Sequence, residues 1–277
     1  MEIYYVNSRN EKVYLDREPY KMLSSTSLFD YEWEYATQGS ANPRITKFSQ
    51  TMQEKDFDIR ILSSGTADFK EKANHLLSTF EKDVFSVSPG RLYVGDWYLR
   101  CYISKSKKPE RYFNAKSSLL KINVISENGM WTKDATTAFG KITNEMYNLA
   151  GLDYAYDYPF DYSNSLTSQL LINENYAPAD FELTIFGSCV NPAVSIGLHT
   201  YAVNDSIVLG EYIKVNSRTR KIYKVKNNGE KVNLYDRQGR EFWIFEKIPP
   251  GNLIVAWPGG FGFEITLMEE RSEPRWI

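Results

Sequence analysis

The sequence predicts a mainly β protein of two domains, the first an α+β domain with one helix, the second a β-sandwich. Three observations carry this. The 277 residues are more than one compact core comfortably holds. Aromatic residues, which suit pleated and half-buried surfaces, make up 15% of the chain, with 20 Tyr, 15 Phe and 6 Trp. Apolar residues recur with a period of two in most segments, and one stretch alone changes to helical spacing.

Residues 1–15 alternate around Ile3, Tyr5, Val13 and Leu15, with turn formers from Asn7 to Asn10, and predict a hairpin. LFDYEWEYAT sets Tyr31, Trp33 and Tyr35 against Asp30, Glu32 and Glu34, the pattern of a strand with one aromatic face. That face has two uses: packing on the domain's own helix, or anchoring a neighbouring subunit. KDFDIRIL alternates through Phe57, Ile59 and Ile61. In TADFKEKANHLLSTFEKD, Phe69, Ala73, Leu76, Leu77 and Phe80 recur at helical spacing, with Thr66 as N-cap and Asp68 and Glu71 favourable in the first turn. RLYVGDWYLRCYISK reads as two strands about a Gly95-Asp96 turn, and SLLKINVIS as another strand.

Periodicity lapses over residues 127–162, so the first domain is placed at 1–135, a connection at 136–162 and the second domain at 163–267. From Phe181 onward FELTIFG, AVSIG, HTYAV, SIVLGEYIKV, KIYKVK, NLY, FWIF, NLIVAW and GFGFEITLME read as short strands separated by turn formers, the signature of a sandwich.

A net charge of −2 without a basic concentration argues against specific nucleic-acid binding, whose affinity comes largely from neutralised phosphates. Two cysteines make no disulfide framework and no zinc pattern. The charge-interrupted N-terminus is not a secretory h-region, and no apolar run approaches about 18 residues, so synthesis in a cytoplasm and no membrane span are expected.

The stretch FGSCVNPAVSIG followed by His199 offers Cys189 and His199 as a thiol–imidazole pair. A nucleophilic cysteine needs a helix N-terminus or a cation to lower its pKa, whereas Gly187 and Asn191-Pro192 punctuate two strands here. His75 reads as an ordinary helix residue. Two histidines and no acidic ligand spacing leave no metal or cofactor expectation. Glu269-Glu270 reads as a solvated charge run, the Asp153, Asp157, Asp161 series carries no acid–base assignment because the separation such a pair needs is not written in a sequence, and Pro258-Gly259-Gly260 reads as a turn, not a phosphate loop. No enzyme is predicted, and an assembly component or binding module is.

The order of features resembles the distal tail protein of long-tailed, siphovirus-type phages, also encoded by prophages and phage-tail-like bacteriocins. YVNSRNEKVYL, ENGMW, DFELTIFGSCVNPAVSIG with its Gly-x-x-x-Asn-Pro-x-x-x-Ile-Gly pattern, LGEYIKVNSRTRKIY, IPPGNLIVAW and the terminal EPRW carry the likeness over nearly the whole chain. It implies that the first domain is a tail-tube-like β-sandwich or split barrel, completed by 268–277 as the last residues of some relatives complete theirs, and that it assembles into a hexameric ring at the virion tail tip. It implies a galectin-like or carbohydrate-binding-module-like second domain facing outward. The implied partners are other copies of the chain, the major tail tube protein, the tail-associated fibre or lysin protein and receptor-binding or other baseplate proteins, with DNA passing through the ring unbound.

Tyr31, Trp33 and Tyr35 are the interface candidates. A second reading is a carbohydrate-binding module for the host cell wall, with Tyr212, Tyr223 or Trp243 stacking on sugar faces. Against it, the polar His, Asn, Arg and Trp set of galectins has no counterpart here, His199 standing apart from any Asn-x-Arg pair.

Overall fold

A computed structural model describes residues 2–25, 27–40, 42–108, 117–141 and 167–275. The chain divides into two compact units, Met1–Lys133 with Glu270–Ile277, and Asp134–Glu269. Of the predicted connection, residues 136–139 are strand, and the part from 142 on, with Asp153, Asp157 and Asp161, lies outside the described residues.

The first unit begins with the predicted hairpin, β1 (Ile3–Val6) and β2 (Lys12–Tyr14), in which Tyr5 pairs with Val13. Then come β3 (Asp16–Arg17), β4 (Tyr20–Ser25), β5 (Glu34–Gln38), β6 (Arg44–Ser49) and β7 (Gln53–Leu62). The helix α1 (Thr66–Ser86) follows, and after it β8 (Gly90–Val94), β9 (Trp97–Lys107), β10 (Ser117–Ser126) and β11 (Trp131–Phe139). The cap is Gly65, so Thr66 is the first helical residue and not the N-cap predicted for it. Asp68 instead accepts from the Ser64 backbone N–H at 2.7 Å, which holds the entering chain by a carboxylate inside the first turn.

Eleven-residue β9 belongs to two sheets. Its first half pairs with β8, which leads on to β1 and β2, and its second half pairs with β10, which leads on to β7, β4 and β3. One core lies between these layers and the helix: Tyr5, Val13, Leu92 and Leu99 from one sheet, Phe57, Ile59, Leu120 and Ile122 from the other, and Leu76 and Phe80 from α1. The alternation read from KDFDIRIL and SLLKINVIS is thus the alternation of burial.

The chain enters the second unit through β11. That unit contains β12 (Thr167–Asn173), β13 (Asp180–Phe186), β14 (Cys189–Val190), β15 (Ala193–Ile196), β16 (His199–Ala202) and β17 (Ser206–Ile207). These are followed by β18 (Tyr212–Asn216), β19 (Lys221–Val225), β20 (Lys231–Asn233), β21 (Gly251–Trp257) and β22 (Phe263–Arg271). One sheet runs β20-β19-β18-β13-β22, the other β12-β21-β15-β16. Phe181 packs edge-on to Tyr201 at 4.9 Å and Trp257 edge-on to Phe263 at 5.2 Å, so the sheets face each other across a single core and make the predicted sandwich.

Three strand readings are corrected. SIVLGEYIKV is two strands, since the Glu211 N–H returns to the Val208 carbonyl in a turn between them. FWIF is a turn: Phe242 and Trp243 face out while Ile244 and Phe245 are buried, a pairwise pattern that a strand cannot present. NLY is cut at Asn233 by a short 3-10 turn, Tyr235–Arg237. The strand Thr167–Asn173, absent from the sequence reading, pairs with β21 along its whole length.

Candidate functional site

The Gly-Ser-Cys corner is structural. An added Cβ on Gly187 would lie 2.1 Å from the Val208 carbonyl oxygen, so glycine is required where two loops cross. Cys189 pairs in β14 with Ile207, and its thiol packs against the sandwich core, burial pushing its pKa up to about 11. The His199 ring contacts Tyr201 and Phe242, with Nε2 2.8 Å from the Trp243 carbonyl oxygen. The structure gives these two side chains different partners, and neither thiol is activated, since burial also pushes Cys101 up to about 12. Alkylation of Cys189 is therefore expected to rise roughly tenfold per pH unit up to about pH 11, while fully buried Cys101 stays unlabelled until the protein unfolds. Mass-spectrometric labelling against pH checks this.

His75 lies on the exposed side of α1, 3.3 Å from the Tyr20 hydroxyl, as an ordinary helix residue. Among the described residues, no group of three or more His, Cys, Asp or Glu side chains is placed to hold a metal ion.

The conspicuous surface is elsewhere. β5 and β6 form a two-stranded hairpin that belongs to neither sheet of the first unit, and almost every residue in it is exposed. Isolated two-stranded hairpins are at best marginally stable in water, and this one carries large apolar groups in the open. Tyr35 opposes Phe48 with ring centroids 6.4 Å apart, and Thr37 opposes Ile45 on the same face. Tyr31, Trp33 and Met52 stand at the root of this arm, and exposures across the set run from 39% at Trp33 to 65% at Met52.

The predicted aromatic strand is corrected in two respects. The strand starts only at Glu34, so Tyr31, Trp33 and Tyr35 do not share one strand face. Tyr31 lines a cleft of about 460 Å³ with Asp30, Glu32, Glu34, Met52 and Glu54, while the Trp33 indole N–H donates to the Ser272 hydroxyl at 3.1 Å. All three are exposed, so none is sealed against the helix as a core residue. The root is held from below and behind. Lys55, buried under the cleft, donates its ammonium to the Asp30 carbonyl, and burial lowers its pKa. Ser272 also accepts from the Gln50 amide at 3.4 Å, and Pro274 next to it is buried, while Trp276 and Ile277 lie outside the described residues.

Phe48, Ile45 and Met52 escaped the sequence reading. Ile45 and Phe48 are three apart, a helical spacing, because the register shifts by one residue between Thr37–Ile45 and Ala36–Lys47, leaving Thr46 as a bulge that restores both to one face.

The sugar-stacking candidates are not brought together as a set. Tyr212 and Tyr223 lie half-buried on adjacent strands, each opposite another residue, on a face shared with the Lys214–Glu182 ion pair at 2.5 Å. Trp243 sits in the FWIF turn beside Phe245, next to His199.

No family model matches the chain, and no curated protein does. Solved structures do match over its full length. A chain of the phage P2 baseplate in its activated conformation with Ca aligns with a TM-score of 0.66 at 13% identity, covering 99% of this chain and 100% of that one. The same baseplate with Sr gives 0.66 at 12% identity, covering 99% of each chain. The Dit protein of phage SPP1, described as a hub of the adsorption apparatus in phages infecting Gram-positive hosts, gives 0.59 at 11% identity, covering 98% of each. Both units in their order, and not a single domain, are therefore the fold that this chain shares with those phage proteins.

Proposed function

We propose that this chain is a distal tail protein of a long-tailed phage: a non-enzymatic hub at the tail tip whose first units meet side by side in a closed, hexameric ring. The observation that carries the reading is the full-length match to the baseplate and Dit structures, in which no part of either chain is left over beyond about 2%. The ring joins the tail tube to the tail-associated fibre or lysin protein, and receptor-binding or other baseplate proteins attach around it. Tyr31, Trp33 and Tyr35, with Phe48 and Ile45, supply the subunit contact, since large aromatic anchors are what a desolvated interface uses. A net charge of −2 suits a channel through which DNA moves without being held.

Sedimentation and electron microscopy of the purified chain are expected to show rings. Replacing Tyr35 and Phe48 together with aspartate is expected to give monomers with an unchanged melting temperature, because neither side chain contributes to a core. Rings that persist in that variant reject the arm as the contact, and a native chain that stays monomeric at its highest soluble concentration rejects the ring.

A second reading has one observation in its favour, the exposed aromatic group of Tyr235, Phe242 and Trp243 on the second unit. It is the carbohydrate-binding module for the host wall, with Trp243, Tyr212 or Tyr223 stacking on sugar. Glycan-array binding by the full chain that disappears in Trp243→Ala supports it, and an array without signal retires it.

A further inference from the structure

Four tyrosines stand in register across the outer face of the first unit's β2-β1-β8-β9 sheet. Tyr4 is directly opposite Tyr14 on one side and Tyr93 on the other, and Tyr93 is opposite Tyr98. Their rings form a continuous row: Tyr14 to Tyr4 at 5.9 Å, Tyr4 stacked on Tyr93 at 4.5 Å, Tyr93 to Tyr98 at 5.3 Å. Cations lie over this row. The Lys12 ammonium is 3.6 Å from the Tyr4 centroid and 4.3 Å from that of Tyr14, the Arg17 guanidinium 4.0 Å from Tyr14, and Arg91 5.3 Å from Tyr98. Tyr98 is buried and Tyr4, Tyr14 and Tyr93 are half-buried, while Arg17 is paired with Glu2 and Asp16, so Lys12 and Arg91 are the exposed cations over the row and its β2-β1-β8 part is what a partner could reach.

The occupant is indicated by charge and by topology. The arm presents the complementary pattern, an aromatic face of Tyr35 and Phe48 rooted beside the carboxylates of Glu32 and Glu34, which have no ion pair among the described residues. The ladder ends on β2, at one end of the first unit's strand order, and the arm leaves between β4 and β7, at the other. A head-to-tail ring needs two different patches on each subunit, each fitting the other's partner.

We propose that the tyrosine ladder is the seat of the arm from a second copy of this chain, with Lys12 and Arg91 meeting Glu32 and Glu34 and the aromatic arm face lying along the tyrosines. This rests on the ring reading and adds to it the identity of the two surfaces and the direction of the joint.

Charge exchange tests it with four exposed residues. The variant Lys12→Glu/Arg91→Glu and the variant Glu32→Lys/Glu34→Lys are each expected to lose the ring alone while keeping the native melting temperature. Mixed in equal amounts they are expected to assemble again, in alternation, because each variant's altered surface fits the other's, and the quadruple variant is expected to assemble by itself. Native mass spectrometry reads the alternating composition. Either double variant forming normal rings, or a mixture that stays monomeric, overturns the arm-on-ladder joint while the native rings leave the ring reading standing. A native chain that forms no rings overturns both.

Discussion

Truncating Trp257 to alanine is expected to cost about 3–5 kcal/mol and to unfold the second unit at temperatures where the first remains folded. Trp257 is fully buried at the end of β21, edge-on to Phe139 at 5.8 Å and to Phe263 at 5.2 Å, and its indole N–H donates to the Phe261 carbonyl at 3.1 Å. Alanine removes one of the aromatic contacts between the two sheets, leaves a void lined by aromatic rings, and strands a buried carbonyl. Trp257→Phe keeps most of the volume and loses only the hydrogen bond, so it should retain most of the stability. Urea unfolding followed by near-UV circular dichroism separates the two. An alanine variant within about 1 kcal/mol of the native chain would show that the sheets are not held together at this point.

Replacing Asp83 with alanine is expected to destabilise the first unit by about 3 kcal/mol or more, because a buried carboxylate with two donors is lost. Asp83 lies on the inner side of α1, fully buried, and accepts from the Tyr5 hydroxyl at 2.6 Å and from the Ser8 backbone N–H at 2.7 Å. It ties the helix to the first hairpin. Gly90 completes the arrangement, since a Cβ there would lie 2.1 Å from the Tyr5 oxygen and 2.5 Å from the carboxylate. Gly90→Ala should therefore cost a similar amount from outside the hydrogen bond itself.

Burial, then the nearby Cys101 and the bond to Asp83, hold the Tyr5 phenol well above its usual range. Its folded pKa being raised, its contribution is complete below the unfolded value of about 10 and is lost progressively as pH climbs past it. The pH dependence of urea unfolding should show a smaller alkaline loss in Tyr5→Phe than in the native chain, the remainder coming from buried Cys101, Cys189 and Tyr201.

Much of this site and fold was legible from local pattern, and the rest for identifiable reasons was not. Alternation located β7, β9 and β10, and helical spacing located α1 to within its last turn. Tyr31, Trp33 and Tyr35 drew notice by composition, but their neighbours Ile45 and Phe48 were hidden by the bulge at Thr46. The ladder was hidden more thoroughly. Tyr4, Tyr14 and Tyr93 sit in ordinary half-buried strand sequence and Tyr98 in a buried run, and only the pairing of four strands from distant parts of the chain lines them up.

The sequence alone determined the alternating faces of β7, β9 and β10, where the helix lies and that the second unit is a sandwich, because burial periodicity and turn chemistry are written residue by residue. Only the tertiary structure decided that β5 and β6 leave the sheets as an arm, that FWIF turns, and that tyrosines from four strands become one surface. Those outcomes depend on register and on which elements find a second layer, and both are settled by contacts between residues far apart in the chain.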